Sequence, residues 1–196
     1  MSDRRVVKYL SFFGWISFII LTIGCSSNIQ KVYIHPNTNF KYIKKVAVMP
    51  FANLTNDKFS GDRVRNMFVT ELLSTRTIDI VELGELQKVL ETEGIRTTDT
   101  VSTEIAQKIG NNLGVQAVIL GSVDQYEMTR TGQNPYPEVC ISVRMLEVET
   151  GTIIWTVTRT ETGKNWFNSL VGVGSKTEIS VASRVVKKIV STLVYE

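Results

Sequence analysis

The chain has 196 residues, 43% of them hydrophobic and 21% charged, a composition and size suited to one packed domain. Two cysteines and a single histidine, His35, cannot assemble a zinc-type site, so metal chemistry of that kind is excluded. The formal net charge of +3 owes most of its value to Arg4, Arg5 and Lys8 near the N-terminus. The remainder is close to neutral and lacks the basic face that nucleic-acid binding needs.

The first 24 residues read as a secretory signal peptide. Arg4, Arg5 and Lys8 form a positive region, residues 9–23 are apolar, and Gly24 places a small residue before Cys25. The run is shorter than the roughly 20 apolar residues of a spanning helix and ends in Gly-Cys-Ser-Ser, which argues against a plain membrane anchor. Leu21-Thr22-Ile23-Gly24-Cys25 resembles the bacterial lipobox, with Thr22 where leucine is commoner. That resemblance implies cleavage before Cys25, a diacylglycerol thioether on its sulfur and an acylated (palmitate-type) N-terminus. Each buried methylene then adds about 0.8 kcal/mol, enough for permanent anchoring with several chains. Ser26 stands where an aspartate would resemble an inner-membrane retention signal, so the expected destination is the outer membrane, facing the periplasm. With Cys25 committed to lipid, Cys140 has no disulfide partner and is read as a buried strand residue.

Residues 25–43 read as a lipidated N-terminus and tether, interrupted by Pro36, Asn37 and Asn39. Tyr33, Phe40 and Tyr42 leave a second reading open, in which the stretch packs on the domain. The domain itself is expected over residues 44–196. Val46–Met49 is an apolar run stopped by Pro50, as in a strand buried on both faces. Ser60 reads as the N-cap of a helix with Val64, Met67, Phe68 and Leu72 on one face. A strand at 78–81 and a helix through Leu86, Val89 and Leu90 to Gly94 follow. A third helix carries Ile105, Ile109 and Leu113 and stops at Gly114.

Ala117–Leu120 reads as another buried strand, running on toward Met128. Val139, Ile141, Val143 and Met145 alternate with polar residues, and Ile153, Trp155 and Val157 do the same beyond a turn at Glu149-Thr150-Gly151. This is a long hairpin with a threonine-rich outer face. Ser175-Lys176-Thr177-Glu178 reads as a capping box opening a last helix with Ala182, Val185, Val186, Ile189 and Leu193 toward the core. The order β-α-β-α-α-β-β-β-α implies a single α/β domain, a mixed sheet with helices packed on it.

Three segments carry a family resemblance. Val46-Ala47-Val48-Met49-Pro50-Phe51-Ala52-Asn53 with Thr55, Gly121-Ser122-Val123-Asp124-Gln125-Tyr126-Glu127, and Arg144-Met145-Leu146-Glu147-Val148-Glu149-Thr150-Gly151 with Trp155 resemble the curli-secretion channel family, CsgG and its HfaB relatives. The layout is also similar to LpoB-type lipoprotein activators of penicillin-binding proteins and to the N-terminal domain of TolB. The resemblance implies an envelope protein without catalysis or cofactor, acting through oligomers or protein partners in envelope or surface-structure assembly. Its motifs are strand and turn signatures, so they speak to fold more than to activity.

The alternative it implies is a subunit of an oligomeric curli-like channel, in which one hairpin leaves after the segment resembling Gly121–Glu127 and another after that resembling Thr152–Thr160. A membrane strand needs about 9–11 residues, and a hairpin about 20 with its turn. Residues 128–138 and 162–174 are each too few, which disfavours a pore of that type. Trp166, Phe167, Leu170 and Val171 form an apolar cluster bounded by glycines, a candidate partner or membrane contact; closing one end of the core is an equal reading. Gly172-Val173-Gly174-Ser175-Lys176-Thr177 fails as a phosphate loop, because Ser175 separates Gly174 from Lys176 and Ser169 occupies the earlier glycine position. No GxSxG is present, and the carboxylate pairs Glu91/Glu93 and Glu147/Glu149 fall on solvated faces or a turn. No catalytic residue, cofactor or small-molecule substrate is therefore expected.

Overall fold

The computed structural model describes residues 29–36, 38–95, 101–131, 134–164 and 177–194. Seven strands form one mixed sheet: β1 (Ile29–Ile34), β2 (Lys45–Val48), β3 (Ala52–Asn53), β4 (Asp79–Ile80), β5 (Ala117–Thr131), β6 (Asn134–Glu147) and β7 (Ile153–Thr162). Among the described residues four α-helices accompany it: α1 (Ser60–Ser74), α2 (Leu83–Thr92), α3 (Thr103–Leu113) and α4 (Glu178–Val194). The strand order is β1-β7-β6-β5-β2-β4, with β3 added to β5 beyond the end of β2. β2, β3 and β5 run parallel, while β5, β6, β7 and β1 are successively antiparallel. The expected order of elements is present, with β1 and β3 added to it.

β2 shows why a continuous apolar run becomes a central strand. Val46 and Val48 face a core built with Val64, Phe68 and Leu72 of α1 and Val185 and Ile189 of α4. Ala47 and Met49 face the other way, into a second core with Leu86 of α2 and Ala106 and Ile109 of α3. Both faces are thus shut by helices, and all four residues are fully buried. α1 packs on β3, β4 and β5, and α4 continues under β6 and β7, whose inward residues Ile141, Val143, Trp155 and Val157 complete the first core. α2 and α3 reach only the β2, β4 and early β5 part of the opposite face, with Leu146 and Val148 at the end of β6 beside it. The outward residues Ser142, Arg144, Thr156, Thr158 and Thr160 have no helix over them among the described residues.

Helix ends follow local chemistry. Glu82 caps α2 by accepting from the amides of Gly84 and Glu85, and Ser102 caps α3 through the amide of Ile105. Gly94 and Gly114 follow α2 and α3 in the left-handed conformation, where a side chain is disfavoured. Ser60 does not cap α1: it is the first helical residue, fully buried, and its hydroxyl is spent elsewhere. Of the capping box expected at 175–178, Ser175 and Lys176 lie outside the described residues. Thr177 accepts from the amide of Ser180.

Two stretches read as irregular are strands. Residues 29–34, assigned to the tether, pair antiparallel with β7 from Ile29 opposite Thr160 to Ile34 opposite Trp155. The amide of His35 continues the ladder to the carbonyl of Ile154 at 2.9 Å. Within the polar stretch 128–138, which carries two prolines, residues 128–131 and 134–138 extend β5 and β6 as far as Thr131 opposite Asn134. Two prolines fit this ladder because of parity. The carbonyl of Pro137 accepts from the amide of Gly163, so residue 137, and residue 135 two places earlier, turn their nitrogens away from β5. Their missing donors cost the β5–β6 pairing nothing.

Packing is tightest where α3 crosses the start of the β6–β7 turn. A methyl group on Gly110 would collide with the side chain of Val148. Gly110→Ala should therefore destabilise the fold by about 1–3 kcal/mol, read as a lower urea midpoint with an unchanged slope. Adding Val148→Ala should return part of that loss.

Candidate interaction surface

The segment between β3 and α1 is a loop held by its own polar side chains. Asn53 Oδ1 accepts from the amide of Thr55 (3.0 Å), the hydroxyl of Thr55 (2.8 Å) and the buried hydroxyl of Ser60 (2.8 Å). Asn53 Nδ2 donates to the carbonyl of Asp57 at 2.7 Å. Asp57 in turn accepts from the amide of Phe59 and pairs with Arg63 at 3.2 Å. The Arg63 guanidinium also lies over the ring of Tyr126, 5.4 Å from its centre. These bonds give asparagine, threonine and serine their best-suited role, replacing a backbone ladder in a turn. The rigid loop leaves two large apolar side chains in solvent, Leu54 and Phe59, each 66% exposed.

Leu54 also lines a cleft of about 310 Å³ on the uncovered sheet face, with Leu120, Ser122, Ser142, Arg144 and Thr156. The floor is a polar ladder. The Asp124 carboxylate accepts from Ser122 (2.7 Å) and Ser142 (2.6 Å), and Ser142 shares a hydrogen bond with Thr158 at 2.9 Å. Cys140 is half-buried in this row, accepting from Thr160 at 3.1 Å. Burial pushes its thiol up, and the neighbouring Asp124 adds to this against the lowering bond from Thr160. Such a thiol is a poor nucleophile near neutrality. The face offers hydroxyls, one arginine and a leucine, a mixture fitted to protein contact.

A charged cluster closes the other face. Glu161, 3% exposed, accepts from Arg159 Nε at 2.9 Å and from Lys188 Nζ of α4 at 2.6 Å. Arg184 Nε lies 3.9 Å from its other oxygen, and Arg184 Nε and Nη2 are buried without a hydrogen bond. Burial works to raise the Glu161 carboxyl, but the hydrogen bonds and charges of Lys188 and Arg159 outweigh it and hold it below the usual carboxylate range. The cluster ties α4 to the end of β7.

Cys25, Trp166, Phe167, Leu170 and Val171 lie outside the described residues. His35 sits at the end of β1. Of the carboxylate pairs, Glu93 binds Lys108 and Asn112 of α3, and Glu147 accepts from Thr150 within the β6–β7 turn. Both do structural jobs. Among the described residues there is no cluster of three potential metal ligands, and no helix is long and apolar enough to cross a membrane. Sequence reading names Asn53 and Thr55 as part of a resemblance and Ser60 as a cap, without their network, and it does not single out Leu54, Phe59 or Glu161. The Asn-x-Thr-x-Asp spacing at 53–57 is the signal that could have marked the loop.

Comparison with known proteins follows this geometry. A family model described as the curli production assembly/transport component CsgG matches residues 33–195. The fold is similar to a PelC dodecamer from Paraburkholderia phytofirmans, with a TM-score of 0.58 and 19% identity over 86% of this chain and 99% of that one. It is similar to the lipoprotein GNA1162 from Neisseria meningitidis, with a TM-score of 0.52 and 18% identity over 76% and 99% of the two chains. The hypothetical protein CT253 from Chlamydia trachomatis gives 0.54 and 14% over 77% and 95%. No curated protein sequence matches the chain.

Two outcomes test this geometry. Asn53→Ala should speed amide hydrogen exchange at residues 55–59 while leaving β5 and β6 protected, with a stability loss of about 1–3 kcal/mol. Glu161→Gln should cost about 3 kcal/mol near neutral pH by leaving Arg159 and Lys188 uncompensated. The folded-state pKa of Glu161 is depressed, so its contribution is present above the unfolded value and lost as pH falls through the folded one. Urea titrations of the two proteins should therefore converge only once the pH has fallen below the usual carboxylate range.

Proposed function

Because the chain belongs to the CsgG family, we propose that it is an outer-membrane lipoprotein whose periplasmic domain acts without catalysis, by binding other envelope proteins during assembly or export of a surface structure. The observation that carries this reading is the hydrogen-bonded loop that holds Leu54 and Phe59 in solvent, with Leu54 at the edge of an uncovered, hydroxyl-rich sheet face. Rigid apolar anchors next to adaptable polar groups suit a protein interface, since little entropy is lost when the partner arrives. The lipobox-like run before Cys25 supports the anchor, and the fold's likeness to a protein titled a lipoprotein agrees with it.

A second reading is a subunit of an oligomeric secretion complex. The fold's likeness to a PelC dodecamer favours self-association as part of the work. The two readings part on assembly size. Native mass spectrometry of the detergent-extracted protein should show a monomer or dimer for an adaptor, and a closed ring of many copies would reject that reading. Leu54→Ser with Phe59→Ser should abolish co-purification of protein partners while the fold, followed by circular dichroism, is retained. Cys25→Ala should move the protein out of the membrane fraction, and unchanged fractionation would refute the anchor.

A further inference from the structure

The anchor and the sheet are separated by very little chain. If Cys25 carries the lipid, as proposed above, only residues 26–28 stand between it and the first residue of β1. Four steps of extended chain reach about 14 Å at most. The tether is therefore far shorter than the whole stretch from 25 to 43, because residues 29–34 are already pinned to β7.

Register shows what lies at that end of the molecule. Ile29 stands opposite Thr160, and Thr160 stands opposite Cys140. From Cys140, β6 continues away from the domain as far as Asn134, still paired with β5. Six residues of strand extend about 20 Å. The hairpin thus projects farther than the leash can reach. α4 brings its first turn to the same end: Trp155 bonds Thr192 and Glu161 bonds Lys188, so α4 runs opposite to β7 and Ile179 lies beyond Glu161. Ile179 is 52% exposed and Met128, on the hairpin, 41%. Lys164 Nζ sits 4.3 Å from the ring centre of Tyr136, also on the hairpin, with Arg130 exposed nearby.

We propose that the projecting end of the β5–β6 hairpin rests in the headgroup interface of the membrane that holds the anchor, through Met128, Arg130 and Tyr136. The chemistry fits. Tyrosine places its ring in the interface and its hydroxyl in water, and arginine and lysine stems lie along apolar surface while their charges meet lipid phosphates. The contact does not cross the membrane. Past the end of β7 each strand has only about four residues, against the roughly 9–11 that a spanning strand needs. The hairpin works as a spacer, setting the height and tilt of the domain.

The test uses the full-length acylated chain in vesicles of phosphatidylethanolamine and phosphatidylglycerol doped with a headgroup spin-labelled lipid. Cys140→Ser removes the native thiol, and a fluorophore is attached at Met128→Cys, at Arg130→Cys, or at Glu149→Cys in the β6–β7 turn at the far end of the sheet. Emission from positions 128 and 130 should be largely quenched, and that from 149 unaffected. Equal quenching at all three sites, or none at 128 and 130, in a chain whose mass shows the acyl groups overturns the hairpin contact and leaves the anchor standing. A chain without acyl groups on Cys25 overturns the anchor, and the hairpin proposal with it.

Discussion

The step from β2 to β3 depends on one contact, the ring of Phe51 laid against Gly121 of the central strand. A methyl group at position 121 would lie 2.6 Å from Phe51 Cζ, so only glycine lets the ring down onto the sheet. Pro50 ends β2, and the carbonyls left at Val48 and Met49 are taken by the buried guanidinium of Arg65, with Nη2 2.8 Å from Val48 O. Phe68 of α1 packs on the same ring, centres 5.7 Å apart. With Phe51 seated, Ala52 and Asn53 resume parallel pairing opposite Ser122 and Val123. The loop that presents Leu54 and Phe59 is aimed by this arrangement rather than by its own sequence alone.

The two sheet faces solve different problems. The inner face is apolar, and Glu161, the one buried carboxylate among the described residues, is held by cations from β7 and α4. Such a cluster is a poor source of net stability, because desolvation offsets most of the attraction. Its effect is positional: it fixes the start of α4 against the end of β7. The outer face keeps its hydroxyls paired with one another and with Asp124, so they remain satisfied before any partner arrives. That surface is thus one of ordered polar groups bordered by Leu54.

Much of the domain was legible from spacing alone. Val46–Met49 announces a strand shut on both faces, and the period-2 alternation of Val139–Met145 and Ile153–Val157 announces the hairpin. What escaped has physical reasons. Residues 29–34 have a strand's composition but no strand's context, because an edge strand exists only if β7 offers its free side. Residues 128–138 look like a loop because of their prolines. Whether a proline breaks a ladder depends on which way its nitrogen points, and that is a matter of register. Ser60 looks like a cap, and its hydroxyl is instead claimed by Asn53 seven residues earlier.

The sequence by itself determined the periodic elements and their order, and through the three strand and turn signatures the family, since each rests on local chemistry. Tertiary structure decided which side chains meet. It converted a tether into an edge strand, a polar connection into a projecting hairpin and an isolated glutamate into a three-cation clasp, because each depends on a partner distant in the chain.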